Sequence, residues 1–470
     1  MRRAHSPSHS PSPPLPRPAP ARAAGPATLA VTGVATALAL MNYTAPMLTL
    51  PAMAEAFGTP SSAQAWLLNG TPLGLAALLL VAGALADAHG RRRVFLLGTL
   101  ALGVTAALGA FADSTALFTA ARIAQGAASA AVLAGSLGLL ADAYPSGRDR
   151  IRATGVWGAS VSGGIALGPL LAGALSLADW RLAYAALGAA TLLTAAAGTR
   201  VLARPAHRPP GGDRRPDLAG ATALALALAA LLTALTLGRD GWLRPAIGVL
   251  LAAAAALTAL FLRVERRAAD PMIDLGLLRR PEFRASTVGA LFTGLAVIGL
   301  FSVVPALIQH GAGMAPLAAA WLFVLWSGTS FVVALQARRL AGRLSAPYQL
   351  ALGFALSTAG VLALLGSLDT PDLPWPRLVT GLVVAGAGSG LLNAALPRLA
   401  VDSVPPERAA MGSGASNTAR YIGSAAGVAL MLAVSAAGPD AALVTAAALS
   451  LAGAALTVAG SPRRRAGGGR

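Results

Sequence analysis

The 470-residue chain contains no cysteine and no lysine. Without cysteine it cannot form a disulfide, a thiolate metal site or a cysteine nucleophile. Without lysine it lacks the phosphate-binding lysine of a P-loop and the amine for a Schiff base, which excludes an ATP-driven pump built from this chain alone. The sequence also contains no grouping of serine, histidine and acid typical of a hydrolase. We therefore expect no cofactor, no metal site and no enzymatic activity.

Charged residues are scarce, at 11% of the chain against 56% hydrophobic residues. A soluble domain carries about 25% charged residues, so much of this surface must face lipid rather than water. The net charge of +18 raises the question of nucleic acid. However, all 36 basic residues are arginines in short clusters between apolar runs. We expect lipid and no nucleic acid as a partner.

Uncharged apolar windows long enough to cross a bilayer, about 20 residues, recur along the whole chain. They predict an all-α polytopic membrane protein with fourteen transmembrane helices. The uncharged stretch 285–337 is divided at 311–316, where glycine and proline favour a turn. The predicted spans are 27–50, 65–86, 94–112, 115–141, 153–176, 181–199, 218–238, 243–262, 285–308, 316–337, 346–367, 378–398, 410–436 and 440–460.

The distribution of arginine predicts the orientation of these spans, because cytoplasmic loops are enriched in positive residues. With a cytoplasmic N-terminus, 30 of the 36 arginines lie in cytoplasmic segments and four lie outside. The remaining two, Arg122 and Arg420, lie inside helices. We therefore predict a multi-pass protein of the cell membrane with both termini in the cytoplasm.

The spans also predict a domain organisation. Helices 218–238 and 243–262 contain almost nothing polar, and removing them leaves six spans on either side, as in a duplicated transporter. The N-terminal segment is rich in proline, serine and arginine, which predicts disorder. The predicted units are a disordered cytoplasmic tail (1–26), a six-helix bundle (27–200), cytoplasmic loops with two extra helices (201–284), a second six-helix bundle (285–460) and a cytoplasmic tail (461–470).

A charged motif, GALADAHGRRR, occupies 83–93 between the second and third predicted spans. Its glycine permits a tight turn, and its acid ends one helix among arginines. The motif resembles the loop signature of the major facilitator superfamily, G-x-L-a-D-r-x-G-r-R, with an alanine where a basic residue is usual. The resemblance implies that the acid latches two halves of the protein together on the cytoplasmic side, facing the helix that starts near 411–412. A plain positive anchor with one stray acid is the alternative. The candidate gating residues are Gly83, Asp87, Gly90, Arg91 and Arg92.

A second motif, GIALGPLLAG at 164–173, lies in the fifth predicted span. Small residues four positions apart let helices approach closely, and a proline bends its helix and frees a carbonyl. Such a helix suits an interface that opens and closes. The motif resembles the antiporter signature g-x-x-x-G-P-x-x-G-G and implies an exporter, whereas generic small-residue packing is the alternative. The candidate residues are Gly164, Gly168, Pro169 and Gly173.

Two arginines lie within apolar spans, where a charge costs about 2.5–3.5 kcal/mol. Arg122 begins RIAQG, similar to the family's R-x-x-q-G, and Arg420 lies in a helix that looks like its counterpart in the fourteen-span drug exporters. The stretch 270–275 with Phe283 also resembles that subfamily. Contact with substrate or coupling ion is one role for Arg122, and snorkelling to the interface is the other. The predicted cavity or coupling residues are Asn42, Thr44, Arg122, Gln125, Trp157, Asn393, Asn417 and Arg420.

The first span departs from the subfamily pattern, because Asn42 occupies the place of an aspartate. All eighteen acids lie in loops or at helix ends, although a buried carboxylate is the usual proton carrier in pumps. We therefore expect a neutral or anionic amphipathic substrate, and a different group for any proton coupling. The candidate groups are Asp87, Glu55, Asp142, Asp402 and His310.

The resemblance to the fourteen-span drug:proton antiporter subfamily covers nearly the whole chain. It implies efflux of small amphipathic compounds by alternating access, driven by protons, and we expect a monomer. Two alternatives stay open: an uptake or metabolite-exchange carrier of the same fold, and a non-transporting membrane sensor. The absence of a sizeable soluble domain disfavours the sensor.

Overall fold

The computed structural model describes residues 25–59, 61–144, 146–203, 218–238, 241, 243–267, 275–314, 316–341, 343–368, 370, 373–435 and 437–459. Within these ranges every regular element is a helix. Residues 1–24 of the predicted tail 1–26, the predicted tail 461–470 and the stretch 270–274 lie outside the described residues. Residues 25 and 26, predicted as part of the tail, belong instead to the first helix. The α-helices are α1 Gly25–Thr44, α2 Pro46–Ala56, α3 Ser61–His89, α4 Arg91–Ala110, α5 Thr115–Ala143, α6 Gly147–Ser176, α7 Arg181–Val201, α8 Leu218–Gly238, α9 Pro245–Glu265, α10 Pro281–Phe292, α11 Gly299–Ala312, α12 Pro316–Ala341, α13 Ala346–Ala363, α14 Trp375–Asp402, α15 Ala409–Ser435 and α16 Pro439–Ala459.

Twelve helices of the described part are long and apolar enough to cross a membrane. Two shorter apolar helical stretches, Thr222–Leu235 and Trp321–Ala337, lie within α8 and α12. Most boundaries agree with the predicted spans to within a few residues, although α6 begins six residues earlier than predicted, at Gly147. The chain is therefore an all-helical, multi-pass membrane protein, and the count of fourteen spans stays a prediction.

Two predicted spans are not single regular helices. The first is broken between α1 and α2, because Pro46 has no N–H to donate to the carbonyl of Asn42 four residues earlier. The span predicted at 285–308 begins earlier, at Pro281, and contains a π-helical turn at Thr293–Ile298 between α10 and α11. Hydropathy did not indicate either interruption, although Pro46 is a sequence signal for the first one.

The helices pack into two groups. Helices α1–α7 contact one another, as do α10–α16, and we call them the first and second helix groups. Each group has its own apolar core, which includes Phe95 and Trp157 in the first and Leu350 and Phe354 in the second. Charged side chains are confined largely to the helix ends, as expected when the helix flanks face lipid.

The two groups meet mainly along two helix pairs, with smaller contacts of α6 with α14 and of α5 with α15. Helix α3 packs on α15, and α6 packs on α12, so that the second span of each group contacts the fifth span of the other. Helix α8 packs on both α3 and α15, with α9 behind it. A predicted site residue can therefore lie inside one helix group or at the contact between the two groups.

Candidate functional site

Asp87 connects the two helix groups at one end of the structure. Its carboxylate accepts hydrogen bonds from the backbone N–H of Met411 at 2.8 Å and of Ala410 at 3.3 Å. These amides belong to the first turn of α15 and have no partner within the helix. The positive end of the helix dipole also favours a carboxylate there. The Asp87 side chain is only 11% exposed, so this contact is shielded from water.

Arg91 donates further hydrogen bonds next to this contact. Its Nε donates to Asp87 Oδ1 at 3.0 Å, and one terminal nitrogen donates to Asp142 Oδ1 at 2.5 Å. The other terminal nitrogen reaches the carbonyl of Pro406, just before α15, at 2.5 Å. Arg91 therefore binds two acids of the first group, Asp87 and Asp142, and the backbone of the second group. We call Asp87, Arg91 and the first turn of α15 the latch.

Two other residues of the motif serve the packing around the latch. A Cβ on Gly83 would lie 2.5 Å from the carbonyl of Ala410, so only glycine allows this approach of α3 to α15. Gly90 has φ of 101° and forms the turn before α4. Arg92 faces away, because it donates to the carbonyls of Thr199 and Leu202 and caps the end of α7. Arg92 is thus a packing residue of the first group.

A second ion pair joins the groups near the latch. Arg150 at the start of α6 donates to Asp402 Oδ1 at the end of α14, at 2.7 Å. Both acids proposed near this end, Asp142 and Asp402, are therefore held in ion pairs. Glu55 is exposed at the end of α2. His310 lies on α11, and its side chain is outside the described part.

A polar cluster joins the groups in the middle of the helices. Ser162 of α6 lies 2.9 Å from the hydroxyl of Ser330 on α12, and Ser327 donates to the carbonyl of Ser162 at 2.8 Å. Asn393 of α14 donates to Ser162 Oγ at 3.1 Å. We call these four residues the serine cluster. Asn393 was predicted as a cavity residue, and the structure places it at this contact between groups.

Arg122 is fully buried in the first group. Its guanidinium donates to the carbonyl of Asn42 at 2.6 Å, the carbonyl of Tyr43 at 3.2 Å and Gln125 Oε1 at 2.9 Å. The Asn42 carbonyl is the one that Pro46 leaves without an amide partner. Arg122 therefore caps the break between α1 and α2, which explains a buried cation without an acid. Full burial also leaves no room for snorkelling.

The remaining cavity residues of the first group are also enclosed. Gln125 Nε2 donates to the Thr105 carbonyl at 3.0 Å, and Thr44 bonds back to the Leu40 carbonyl. The indole of Trp157 donates to Ser136 Oγ at 2.8 Å within the core. These side chains hold the helices of one group together.

The glycine motif of α6 packs against the broken helix of the same group. A Cβ on Gly164 would meet the Ala37 carbonyl, and one on Gly168 would overlap Thr44 Oγ1. Outside the motif, Gly158 of α6 faces the second group most closely, against the Asn393 carbonyl, and Gly155 also faces it, against the Ala334 carbonyl. Pro169 is buried on α6, and Gly173 is half-buried near its end. The motif thus brings α6 onto α1, and a residue outside it makes the closest approach between groups.

Arg420 differs from Arg122 in its surroundings. It is 5% exposed on α15, and the described residues offer it no carboxylate within salt-bridge distance and no hydrogen-bond partner for its Nε. Its guanidinium contacts Tyr421, with the guanidinium carbon 5.2 Å from the ring centroid. The Tyr421 ring in turn meets Tyr43 of α1 edge-on, with centroids 6.0 Å apart. Asn417, one turn earlier, bonds to the Ser413 carbonyl. Neither tyrosine is among the residues predicted from the sequence, although each adjoins a predicted site residue.

Comparisons with known proteins agree with this architecture. The Major Facilitator Superfamily model matches residues 32–428. The cephamycin export protein CmcT of Amycolatopsis lactamdurans is 33% identical over 426 residues, 88% of this chain and 86% of that protein. The puromycin resistance protein pur8 of Streptomyces alboniger is 30% identical over 413 residues, covering 87% and 81%. The multidrug resistance protein Stp of Mycobacterium tuberculosis is 30% identical over 407 residues, covering 86% and 74%.

A solved structure supports the fold independently. The crystal structure of the human organic anion transporter MFSD10 (TETRAN) superposes with a TM-score of 0.66, covering 94% of this chain and 100% of that chain. The two sequences are 20% identical, so the likeness concerns the arrangement of helices alone.

Proposed function

The chain belongs to the Major Facilitator Superfamily, and we propose that it exports small amphipathic compounds from the cell by proton-coupled alternating access. It is a membrane transporter and not an enzyme. Its relatives are named for multidrug resistance, puromycin resistance and cephamycin export. These names support export over uptake, and they support a small-molecule substrate of amphipathic character.

The proposal includes a complete topology. We propose fourteen spans, made of the twelve apolar helices together with α8 and α12, whose apolar stretches are shorter. The two helix groups are then two six-helix bundles, and α8 and α9 are the two extra spans. Both termini and the latch lie on the cytoplasmic side of the cell membrane, as the arginine distribution predicts, and the protein acts as a monomer. Single cysteines placed at 93 and 200 test this, since the chain has no other cysteine to label.

The hydrogen bonds of the latch support the proposed mechanism. Asp87 and Arg91 bond the first group to the start of α15, so these bonds must break before the groups can separate at that end. Rocking of the two groups about a central site is the usual mechanism of duplicated transporters. The latched state therefore corresponds to a transporter closed toward the cytoplasm, and the unlatched state admits substrate from the cell.

The coupling proton is assigned to Asp87. A protonated carboxyl group would lose most of its attraction for the amides of Met411 and Ala410, because hydrogen bonds to a charged group are the stronger ones. Proton binding at Asp87 would thus favour the unlatched state. Asp142 and Asp402 are more exposed and pair with arginines, which makes them weaker candidates for a proton carrier.

The substrate is proposed to be neutral or anionic. No acid of the sequence lies in the middle of a predicted span, so a lipophilic cation would find no buried counter-charge. The buried guanidinium of Arg420 lies between the groups and favours a negative or polar neutral group instead.

Cellular accumulation of matched compounds tests the function. Cells that produce the protein are loaded with an acid, an amide and an amine built on one aromatic scaffold. We expect lower accumulation of the acid and the amide, reversal by an uncoupler, and loss of the effect in Asp87→Asn. Asp149→Asn, an exposed acid in the first turn of α6, is the matched control. Selective exclusion of the amine, with the acid unaffected, would contradict the proposed substrate class.

A further inference from the structure

We propose that Arg420, Tyr421, Tyr43 and Ser424 form the recognition site for the anionic group of an aromatic carboxylate. This inference rests on the proposed function, since it names the substrate class of the same transporter. It also assigns different roles to Arg122 and Arg420. Arg420 binds the ligand, and Arg122 maintains the fold.

The charge of Arg420 is the first argument. Burying a charged side chain is costly unless it is paired and hydrogen-bonded. Arg420 is 5% exposed, its Nε has no hydrogen-bond partner, and no carboxylate of the described residues pairs with it. Its guanidinium lies against the ring of Tyr421, with the guanidinium carbon 5.2 Å from the ring centroid. This neutral group leaves the positive charge without a counter-charge. A carboxylate fits this guanidinium best, because two parallel N–H···O bonds can form.

Arg122 shows a different arrangement for a buried arginine in the same protein. It is equally buried, it lacks an acid, and its Nε is also without a partner. However, three hydrogen bonds to Asn42, Tyr43 and Gln125 occupy its terminal nitrogens. Those bonds cap a helix break inside one helix group. The comparison indicates that the terminal nitrogens of Arg122 are committed to the fold, whereas the guanidinium of Arg420 lies against the ring of a neutral tyrosine.

The surroundings of Arg420 favour an aromatic ligand. Tyr421 and Tyr43 are arranged edge-to-face, which presents a ring face and ring edges to a third aromatic group. Ser424, buried one turn after Arg420 on α15, adds a hydroxyl group on the same face of that helix. A cation would be repelled by Arg420 and would find no acid.

The position of the site connects ligand binding to the latch. Tyr43 belongs to the first helix group, and Arg420, Tyr421 and Ser424 belong to the second. A ligand held among them contacts both groups. Arg420 also lies on the helix whose first turn is bonded by Asp87, at ten residues from Ala410, or about 15 Å along the axis. Binding at Arg420 therefore acts on the element that the latch holds.

Binding to the purified full chain in detergent tests the site without transport. The probes are 2-naphthoate and its neutral isostere 2-naphthamide, measured by equilibrium dialysis. We expect wild-type protein to prefer the carboxylate at least tenfold. Arg420→Gln should weaken naphthoate binding about 10- to 100-fold, as expected for lost charged hydrogen bonds, and leave naphthamide binding within twofold. Arg148→Gln, an exposed arginine at the start of α6, should change neither.

A second variant keeps the proposal testable if Arg420→Gln folds poorly. Ser424→Asp introduces an acid one turn from Arg420 on the same helix face. We expect this internal partner to raise the melting temperature and to abolish naphthoate binding. Ser424→Asn should do neither. A melting temperature that falls in Ser424→Asp, with naphthoate binding retained, would overturn the assignment of Arg420.

Three further results would contradict the assignment of this site. The first is equal wild-type affinity for naphthoate and naphthamide, and the second is an equal loss of binding of both probes in Arg420→Gln. The third is no naphthoate binding at 10 mM, roughly the weakest range in which specific binding is measured. The outcome is separable from export. Protein that binds naphthoate through Arg420 but moves nothing across a membrane retains the site and refutes the transporter function. Gradient-driven export with no preference for the carboxylate refutes the site alone.

Discussion

Replacing Asp87 by asparagine removes the charge that bonds the two helix groups at the latch while preserving the size of the side chain. The carboxylate accepts two amide hydrogen bonds from α15. A hydrogen bond to a charged group contributes about 1.5–3 kcal/mol, against about 0.5–1.5 kcal/mol for a neutral one. Loss of the charge therefore weakens the latch by about 2–3 kcal/mol. The unlatched state should become about 30- to 150-fold more populated relative to the latched state.

The assay uses a single cysteine behind the latch. Ser413 is fully buried on α15, close behind Met411, and Ser413→Cys is a conservative change. In nanodiscs both faces of the protein are accessible to a maleimide, so the labelling rate of the Ser413→Cys protein reports the unlatched population. We expect at least tenfold faster labelling when Asp87→Asn is added to this parent, and no change when Asp149→Asn is added. An unchanged rate with Asp87→Asn would refute the latch as a barrier between the groups.

Three further outcomes follow from the same contacts. Arg122→Gln should lower the melting temperature, because the Asn42 carbonyl at the helix break then has no donor. Adding Pro46→Ala should partly restore the melting temperature, because alanine supplies an N–H for that carbonyl. A melting temperature that Pro46→Ala does not raise would count against the capping role. Gly168→Ala should lower the melting temperature, because the added Cβ overlaps Thr44, whereas Gly248→Ala on α9 meets open space and should not. Asp402→Asn should speed labelling of the Ser413→Cys protein less than fivefold, because a partly exposed ion pair contributes about 0–1 kcal/mol; an effect as large as that of Asp87→Asn would contradict this ranking.

The long apolar helices and the position of Asp87 could be predicted from the sequence for a physical reason. Each crossing requires a long apolar run, and charges are tolerated mainly between runs. Asp87 stands out because it follows such a run and precedes three arginines, and the structure places it at the start of α15, the helix named from the resemblance.

Arg122 and Arg420 could not be told apart from the sequence. Both lie in apolar helices with no acid nearby along the chain. Their difference arises from Pro46, which belongs to another helix and leaves a carbonyl that only packing of α1 on α5 brings to Arg122. Arg420 meets a tyrosine instead. Local pattern carries no information about a partner supplied by a distant helix.

The serine cluster could not be predicted from the sequence for a related reason. Ser162, Ser330 and Asn393 are separated by 63 to 231 residues along the chain. A single serine among alanines and glycines is an ordinary feature of a membrane helix. Only the packing of α6 on α12 and α14 identifies these side chains as a contact between the helix groups. The same packing shows that the glycine motif of α6 faces α1, where its pattern had indicated an interface that opens and closes.

Flux into and out of reconstituted vesicles tests the central claim most directly. Vesicles that contain the protein are loaded with an aromatic acid or its amide, and a pH gradient is imposed in either direction. The account predicts that transport runs against the proton gradient, with compound leaving one compartment as protons enter it, and that Asp87→Asn abolishes this dependence. Flux that does not depend on the sign and size of the pH gradient would contradict a proton-coupled exporter. Flux equal to that of protein-free vesicles would also contradict it.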